Sequence, residues 1–224
     1  MYSGSGDGGS GTSMMDDFET LISTTDAELL KRVWRNEKGA PEILRYEAAL
    51  VQRSREQIQL MEETVEDYTK NGVDPLTVSL YQMDLDRTMF LLRSYLRTRL
   101  QKIEKYVLHI QRSDELWNRL SKQEQRFAQR SAEDIQQHLE QSVLSKFPPG
   151  FNSHLKQSSC SEKDDMVPEP RPNLHVICRS KRDLGAFQLD DRGEDIIRIE
   201  ADDLYALPYN SIKPLVENGQ IDIV

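Results

Sequence analysis

Apolar residues recur every three or four positions over the first two thirds of the chain, and close to every second position near its end. The first spacing predicts helices, and their starts carry capping signals. Thr25 can cap a helix whose Glu28 closes a capping box, and Ser121 with Glu124 repeats this arrangement. The four expected helices begin at Thr25, run from Pro41 to about Lys70, run from Asp74-Pro75 to about Arg112, and run from Ser121 to before Pro148.

The third expected helix is the longest element. It contains no Gly or Pro after its first position, and at about 1.5 Å per residue it spans roughly 55 Å. One chain of this size cannot cover both sides of such a helix with its own residues. We therefore expect long helices with wide apolar stripes to pack against partner chains.

A change of composition follows the fourth helix. Residues 151–172 are rich in Ser, Asp and Pro and are typical of a linker. Beyond them the period approaches two, and a short helix over Asn210–Asn218 tolerates Pro214 only within its first turn. The expected strands are Leu174–Cys178, Ala186–Leu189, Asp195–Ile199 and Gln220–Val224.

These elements predict a mainly α fold with a small β-rich C-terminal domain: an N-terminal helical bundle with long helices, then a short-stranded sheet plus one short helix. About 55 residues bury little surface alone, so the sheet is expected to lean on a neighbour. The expected parts are a disordered leader with an acidic-apolar island over 1–24, a helical domain over 25–150, a linker over 151–172, and a β-rich domain over 173–224.

Composition and charge exclude several classes of protein. The 224 residues carry a net charge of −9, which argues against a protein that works mainly by coating nucleic acid, because the phosphate backbone is also negatively charged. No stretch approaches the roughly 20 apolar residues of a membrane helix, and the start of the chain has no signal-peptide pattern. Cys160 in a linker and Cys178 in a strand-like run are not expected to pair, which favours a reducing compartment, cytosol or nucleus.

No pattern of residues predicts catalysis. The sequence contains neither a G-x-x-x-x-G-K-[ST] phosphate loop nor a G-x-G-x-x-G turn. Its four histidines lie far apart, and Cys178 in an apolar strand would have a raised pKa. We therefore expect no enzyme activity, no cofactor, no metal site and no small-molecule substrate. The histidines are His109, His138, His154 and His175.

A basic segment of the third helix is the sharpest charge pattern. Its cations alternate with apolar residues, and three interpretations stay open: the solvated face of a core helix, a surface for acidic groups of a partner, or a nucleic-acid contact. Trp34 on the first helix is either core or subunit interface. The candidate partner-binding residues are Trp34, Arg93, Tyr95, Arg97, Arg99 and Lys102, with Lys105 continuing the segment.

The island near the N-terminus is a candidate docking peptide. Its acidic residues precede apolar residues that would share one side of a helical turn, as in a tethered peptide that docks into a groove ringed by basic residues. The alternative is that the island merely precedes the first helix. Its residues are Asp16, Asp17, Phe18, Leu21 and Ile22.

Several motifs, in order along the chain, resemble the Sld-five subunit family of the GINS complex. The resemblance covers about residues 25–224 and departs from the family at Leu207-Pro208, where Pro208 puts local strand pairing in doubt. The motifs are Trp34-Arg-Asn-Glu-Lys38, Ala40-Pro-Glu-Ile-Leu44, Gln59-Leu-Met-Glu-Glu63, Ser79-Leu-Tyr-Gln-Met-Asp-Leu-Asp-Arg87, Leu92-Arg-Ser-Tyr-Leu-Arg-Thr-Arg-Leu-Gln-Lys-Ile-Glu-Lys-Tyr106, Met166-Val-Pro-Glu-Pro170, Ile212-Lys-Pro-Leu-Val216 and Gly219-Gln-Ile-Asp-Ile223.

The resemblance implies a nuclear, non-catalytic scaffold. It implies a heterotetramer with three related Psf subunits, which joins the MCM ring and the Cdc forty-five protein in the replicative helicase during initiation and elongation of DNA replication. ATP hydrolysis would belong to the ring, and the island could bind a replisome hub protein. Direct DNA binding would be weak or absent; the alternative is a nucleic-acid-binding replication accessory protein that uses the basic segment. The β-rich domain would dock on a neighbour through Tyr209, Ile212, Leu215, Val216, Ile221 and Ile223.

Overall fold

The helical region comes first in the chain. The computed structural model describes residues 25–158, 160–161, 164–189 and 196–224. Three helices start at the predicted caps: the side chains of Thr25, Asp74 and Ser121 accept hydrogen bonds from backbone N–H groups three residues on. The helices are α1 (Asp26–Gly39), α2 (Ala48–Lys70), α3 (Pro75–Arg112), α4 (Asp114–Asn118) and α5 (Lys122–Ser142), followed by a 3₁₀ turn over Leu144–Lys146.

Helix α2 begins later than its sequence predicts. The expected start at Pro41 is wrong, because residues 41–47 form an irregular segment before Ala48. Buried cations bind this segment's carbonyl groups: Lys102 donates to the Glu42 carbonyl at 2.8 Å and Arg99 to the Leu44 carbonyl at 2.8 Å. Because those carbonyl groups accept hydrogen bonds from side chains, they do not accept the backbone N–H bonds that a helix over residues 41–47 would need.

Two smaller differences concern the region between the third and fourth predicted helices. Trp117 lies in the short helix α4, which is not among the four predicted helices. Tyr106 departs from helical geometry with φ −116° and ψ 21°, so α3 is kinked near its end. Gly72, at φ +67°, adopts the left-handed conformation that ends α2, and the helix stops at Lys70, where the sequence predicts its end.

In its described residues, the C-terminal region contains two small antiparallel sheets and one helix. Its first sheet has the strand over residues 175–180 in the middle, flanked by the strands over 204–208 and 221–223, and in the second sheet the strand over 185–188 pairs with that over 196–199. The predicted fold class is confirmed: helices first, then a small sheet with one short helix. The elements are β1 (His175–Ser180), β2 (Gly185–Gln188), β3 (Ile196–Ile199), β4 (Leu204–Pro208), α6 (Tyr209–Glu217) and β5 (Ile221–Ile223).

Strand β4 is not among the strands that the sequence pattern predicts. Pro208 is its last residue and lies opposite His175, the first residue of β1, so the missing N–H falls at the end of the ladder. Pro214 lies in the second turn of α6, beyond the first turn expected for it. The Asn210 carbonyl that loses its helical partner belongs to an exposed residue, where water can replace the bond.

Three apolar clusters form the core. One joins α1, α2 and α3 around Leu30 and Tyr95, and a second joins α3, α4 and α5 around Ile103 and Ala128. The third fills the C-terminal region and includes Ala40, which follows α1. None of the helices in the described part of the chain is long and apolar enough to cross a bilayer.

Candidate functional site

The basic segment of α3 divides into an exposed set and a buried set. Arg93 and Arg97 are exposed, whereas Arg99 is fully buried. Arg99 lies four residues after Tyr95 and four before Ile103, and both of these are also fully buried. Because residues four apart share one side of a helix, position 99 belongs to the core stripe of α3.

This burial corrects part of the predicted partner surface. Tyr95 and Arg99 have no exposed area, so these two cannot meet a partner in this fold, and the Lys102 side chain is only 12% exposed. Their contacts are internal: the Tyr95 hydroxyl, for example, accepts a hydrogen bond from the Glu47 backbone at 3.4 Å. Trp34, which is half-buried and packs edge-on against Phe90, stays a partner prediction.

Arg99 uses all five of its N–H donors. Its Nε and Nη2 donate to the two Glu124 carboxylate oxygens at 2.6 and 3.2 Å. Nη1 donates to Glu37 at 2.9 Å and to the Leu44 carbonyl at 2.8 Å, and Nη2 donates to the Arg119 carbonyl at 3.2 Å. One side chain thereby fixes α1, the segment before α2, the end of α4 and the start of α5.

The charges around Arg99 balance. Lys102 lies 2.9 Å from the second Glu37 oxygen, so two buried cations face the carboxylates of Glu37 and Glu124. Burial opposes the charged form of Arg99, but the two carboxylates outweigh it and raise its pKa. For Lys102 burial is the larger effect and lowers the pKa despite Glu37. Removing any one of these charged side chains would leave a buried charge without its partner and would destabilise the fold.

A second polar cluster connects the helical region to the C-terminal region. The Glu42 carboxylate lies 3.1 Å from Arg119 and 2.9 Å from Lys213, and it accepts a hydrogen bond from the Tyr209 hydroxyl at 3.2 Å. Burial raises the pKa of Glu42, but the neighbouring cations Lys213 and Arg119 lower it by more than burial raises it. The pKa of Glu42 is therefore below its ordinary value. Arg119 also contacts Glu217 at 2.9 Å. We call Glu42, Arg119, Tyr209, Lys213 and Glu217 the domain junction.

The end of α1 supports the last strand. The Asn36 side-chain oxygen accepts a hydrogen bond from the Ile223 backbone N–H at 2.7 Å, and Arg32 lies 3.8 Å from Asp222. Gly39 is in direct contact with Ile223. The C-terminal region therefore leans on the helices of its own chain.

This placement corrects the predicted docking surface of the β-rich domain. Five of its six residues are buried, and Leu215 is partly buried against the same core. Their side chains fill the interior of the C-terminal region, so another chain cannot reach them in this fold. The five buried residues are Tyr209, Ile212, Val216, Ile221 and Ile223.

Residues 55–84 form a projecting hairpin that none of the sequence-predicted site residues included. They comprise most of α2 and the first turns of α3, and not one of them is buried. Large apolar side chains are left exposed along α3 at spacings of four, three and seven residues, which places them on one side of the helix. They are Leu76 (67% exposed), Leu80 (57%), Met83 (67%) and Phe90 (59%).

The side chains that could support chemistry do not converge. Among the described residues, no group of three His, Cys, Asp or Glu side chains could hold a metal ion. Burial raises the pKa of Cys178 to about 11, which suppresses its thiolate at neutral pH. The candidate docking peptide over residues 14–22 lies outside the described residues and stays a prediction.

Comparison with known proteins identifies the family. The family model described as "GINS complex protein helical bundle domain" matches residues 50–143. A second, described as "DNA replication complex GINS protein SLD5 C-terminus", matches residues 170–224. Together they cover the helical bundle and the C-terminal sheet region.

Full-length relatives agree with both matches. The chain is 56% identical over 210 residues to the DNA replication complex GINS protein SLD5 of Arabidopsis thaliana, covering 93% of this chain and 95% of that protein. The Bos taurus protein of the same name is 32% identical over 93% of this chain and 94% of its own length. The Homo sapiens protein is 29% identical over 91% and 92%. The chain belongs to the SLD5 family of GINS complex proteins.

Proposed function

We propose that this chain is a non-catalytic scaffold subunit of a GINS complex that acts in DNA replication in the nucleus. Its relatives are named as DNA replication complex GINS proteins. In this proposal it assembles with three Psf subunits into a heterotetramer, and the tetramer joins the MCM ring and the Cdc forty-five protein in the replicative helicase. The single observation that supports this role best is the projecting hairpin of residues 55–84.

A hairpin of this kind has little packing of its own. Its two helices contribute no buried residue over 55–84 and contact each other through half-buried side chains such as Tyr68, whose ring lies 5.2 Å from that of Tyr81; helices with so little packed surface are weakly stabilised in water. Fully burying a Leu, Met or Phe side chain stabilises a complex by roughly 1.5–3 kcal/mol. Covering Leu76, Leu80, Met83 and Phe90 would therefore supply a substantial part of the free energy of association.

The domain junction gives the scaffold its shape. Glu42 and Arg119 connect the helical region to Tyr209, Lys213 and Glu217 on α6. In our proposal this junction holds the C-terminal region at a fixed place beside the bundle while the hairpin engages sister subunits.

The nucleic-acid alternative has less support. Arg99 and Lys102, two of the five cations considered for DNA contact, are committed to Glu37 and Glu124 inside the fold. With a chain charge of −9, the remaining cations make a poor footprint for a DNA-coating protein.

Co-expression tests the proposal. The chain is expressed with its three candidate sister subunits, and the intact assembly is weighed by native mass spectrometry. A Leu80→Ser, Met83→Ser double variant is expected to weaken assembly by tenfold or more. Each substitution removes an apolar side chain whose burial in the interface would contribute about 1–3 kcal/mol to the free energy of association. Phe147→Ser with Met166→Ser, which also changes two exposed apolar residues, is the matched control and is expected to assemble normally.

The proposal fails on either of two results. One is a hairpin variant that assembles as tightly as the unaltered chain. The other is an isolated chain that stays monomeric at high concentration and melts cooperatively.

A further inference from the structure

A groove of about 900 Å³ lies between the end of α1, the middle of α3 and the segment before β1. Ser94, Arg97, Thr98, Gln101, Lys102 and Lys105 of α3 line one wall, in the pattern i, i+3, i+4, i+7, i+8 and i+11 that keeps them on one face of the helix. The same face carries the exposed apolar stripe further back, at Leu80, Met83 and Phe90. The groove thus continues the hairpin surface but differs from it in chemistry.

The groove is strongly basic in an acidic protein. Five cations line it against one carboxylate, Glu169. Lys102 is neutralised internally by Glu37, and Glu169 lies at the exposed rim, 3.8 Å from His109. The other four cations are exposed, and none is within 4 Å of a carboxylate among the described residues; they are Lys38, Arg97, Lys105 and Arg171.

Two of these cations are held by aromatic rings. The Lys38 ammonium lies 5.6 Å from the centre of the Trp34 ring, and Lys105 lies 5.0 Å from that of Tyr106. Arg97 and Lys105 are eight residues apart on α3, a rise of about 12 Å. Arg97 and Lys105 are therefore spaced along the groove, and Lys38 and Lys105 each have an aromatic ring beside them that restricts their positions.

We propose that this basic groove binds an acidic segment of a partner protein. The segment presents carboxylates about 12 Å apart to Arg97 and Lys105, a spacing that i and i+8 positions of a helical peptide match. Apolar side chains between those carboxylates rest on the half-buried side chains of Trp34 and Tyr106. This interaction goes beyond the subunit contact through the hairpin and does not depend on it.

The contacts favour a peptide over single-stranded nucleic acid. Nucleic-acid grooves combine phosphate-binding cations with aromatic faces that are free to stack on bases. Here a lysine covers a face of each ring. The remainder of the chain, at −9 overall, also repels a polyanion longer than the groove.

Fluorescence anisotropy on the full chain, alone and co-purified with its sister subunits, tests this inference. The probe is a labelled 14-residue helical peptide with Glu at i, i+4 and i+8 and Leu between them. A second peptide with Gln in place of Glu, and an oligothymidylate of equal length, serve as comparison ligands. We expect the acidic peptide to bind, more weakly as salt rises, and the Gln peptide to bind at least tenfold less tightly.

Variants assign the binding to the groove. Arg97→Glu with Lys105→Glu is expected to weaken acidic-peptide binding by about tenfold or more, because attraction becomes repulsion at both positions. Arg126→Glu with Arg130→Glu, two exposed cations on α5 outside the groove, is the charge-matched control and is expected to change it little. All four positions are exposed, so the melting midpoints are expected to stay unchanged.

Each outcome decides the question. Binding to the chain alone but not to the assembly supports the inference and assigns the acidic segment to a sister subunit. Equal binding of the Glu and Gln peptides overturns it, as does equal loss in the groove and control variants. Tighter binding of the oligothymidylate that is lost in the groove variant also overturns it, and assigns the groove to nucleic acid.

Discussion

The projecting hairpin and the surroundings of Arg99 differ sharply, although α3 runs through both. Over residues 55–84 no side chain is buried, whereas a few turns later the same helix buries a complete arginine. In the hairpin, apolar residues face solvent. Around Arg99, a charged side chain is buried away from solvent. Each arrangement is unfavourable unless other groups compensate.

The two regions differ in where that compensation comes from. Arg99 finds all of its partners within the chain, at Glu37, Glu124, Leu44 and Arg119. Leu76, Leu80 and Met83 find none to bury them within the described residues. The comparison suggests that one half of α3 stabilises the subunit itself and the other half is kept for assembly.

The largest effect is expected from Arg99→Ala. It leaves Glu37 and Glu124 buried without their shared partner, and the expected loss in the free energy of unfolding is about 3–5 kcal/mol. Pulse proteolysis of the full chain in urea measures it. Arg97→Ala, two residues away and exposed, is the control and is expected to cost less than about 0.5 kcal/mol. Equal midpoints for both variants would show that the buried network does not stabilise the helical region.

Glu42→Gln tests the domain junction and is expected to cost about 1–3 kcal/mol at neutral pH. The pKa of Glu42 in the folded chain lies below its ordinary value of 4.5, so its ionised form stabilises the fold above that pH. This contribution is lost as pH falls through the folded pKa, because the unfolded chain takes up the proton first. Urea unfolding at several pH values should therefore show the gap between variant and unaltered chain closing below about pH 4.5. A gap that is constant with pH would contradict the role of this carboxylate.

Gly39→Ala tests the contact between α1 and the last strand. Alanine is the better helix former by about 1 kcal/mol, so the helix alone would gain. A Cβ at position 39 would, however, overlap Cγ2 of the buried Ile223. We expect a net loss of about 1–3 kcal/mol from overpacking, measured by urea unfolding. Ser79→Ala, at an exposed position of α3, is the control. A gain in the free energy of unfolding for both variants would show that Ile223 does not pack tightly against Gly39.

The smallest effect on the chain itself is expected in the hairpin. Leu80→Ala removes an exposed side chain and should change the free energy of unfolding by less than about 0.5 kcal/mol. Leu91→Ala, the same change at a buried position of α3, should cost about 2–5 kcal/mol. Thermal unfolding of both variants gives the contrast. Similar losses would show that the hairpin is packed within the chain after all.

Much of the helical region could be predicted because its signals are local. Thr25, Asp74 and Ser121 cap their helices through bonds that span three residues. The start of α2 could not be predicted this way, since the carbonyls of residues 42–44 are bound by side chains from distant parts of the chain. Long-range contacts overrode a favourable Pro41 start.

Arg99 shows the same limit at the level of a site. Its charge suggested a surface, yet its spacing from Tyr95 and Ile103 placed it in the apolar stripe, and that spacing was the signal available. Strand β4 was missed because Pro208 argues against strand pairing unless it is known to lie at the strand end. The hairpin surface could not be assigned from the pattern alone, because periodicity does not show which side of a long helix stays uncovered.

Hydrogen exchange across residues 55–84 tests most directly whether the hairpin is an assembly surface. Amide exchange is compared between the isolated full chain and the chain co-purified with its sister subunits. We expect the hairpin amides to be strongly protected by assembly, while those around Arg99 and Ile103 change little because their contacts are internal. Equal exchange of residues 55–84 in the two samples would contradict a scaffold role for this surface.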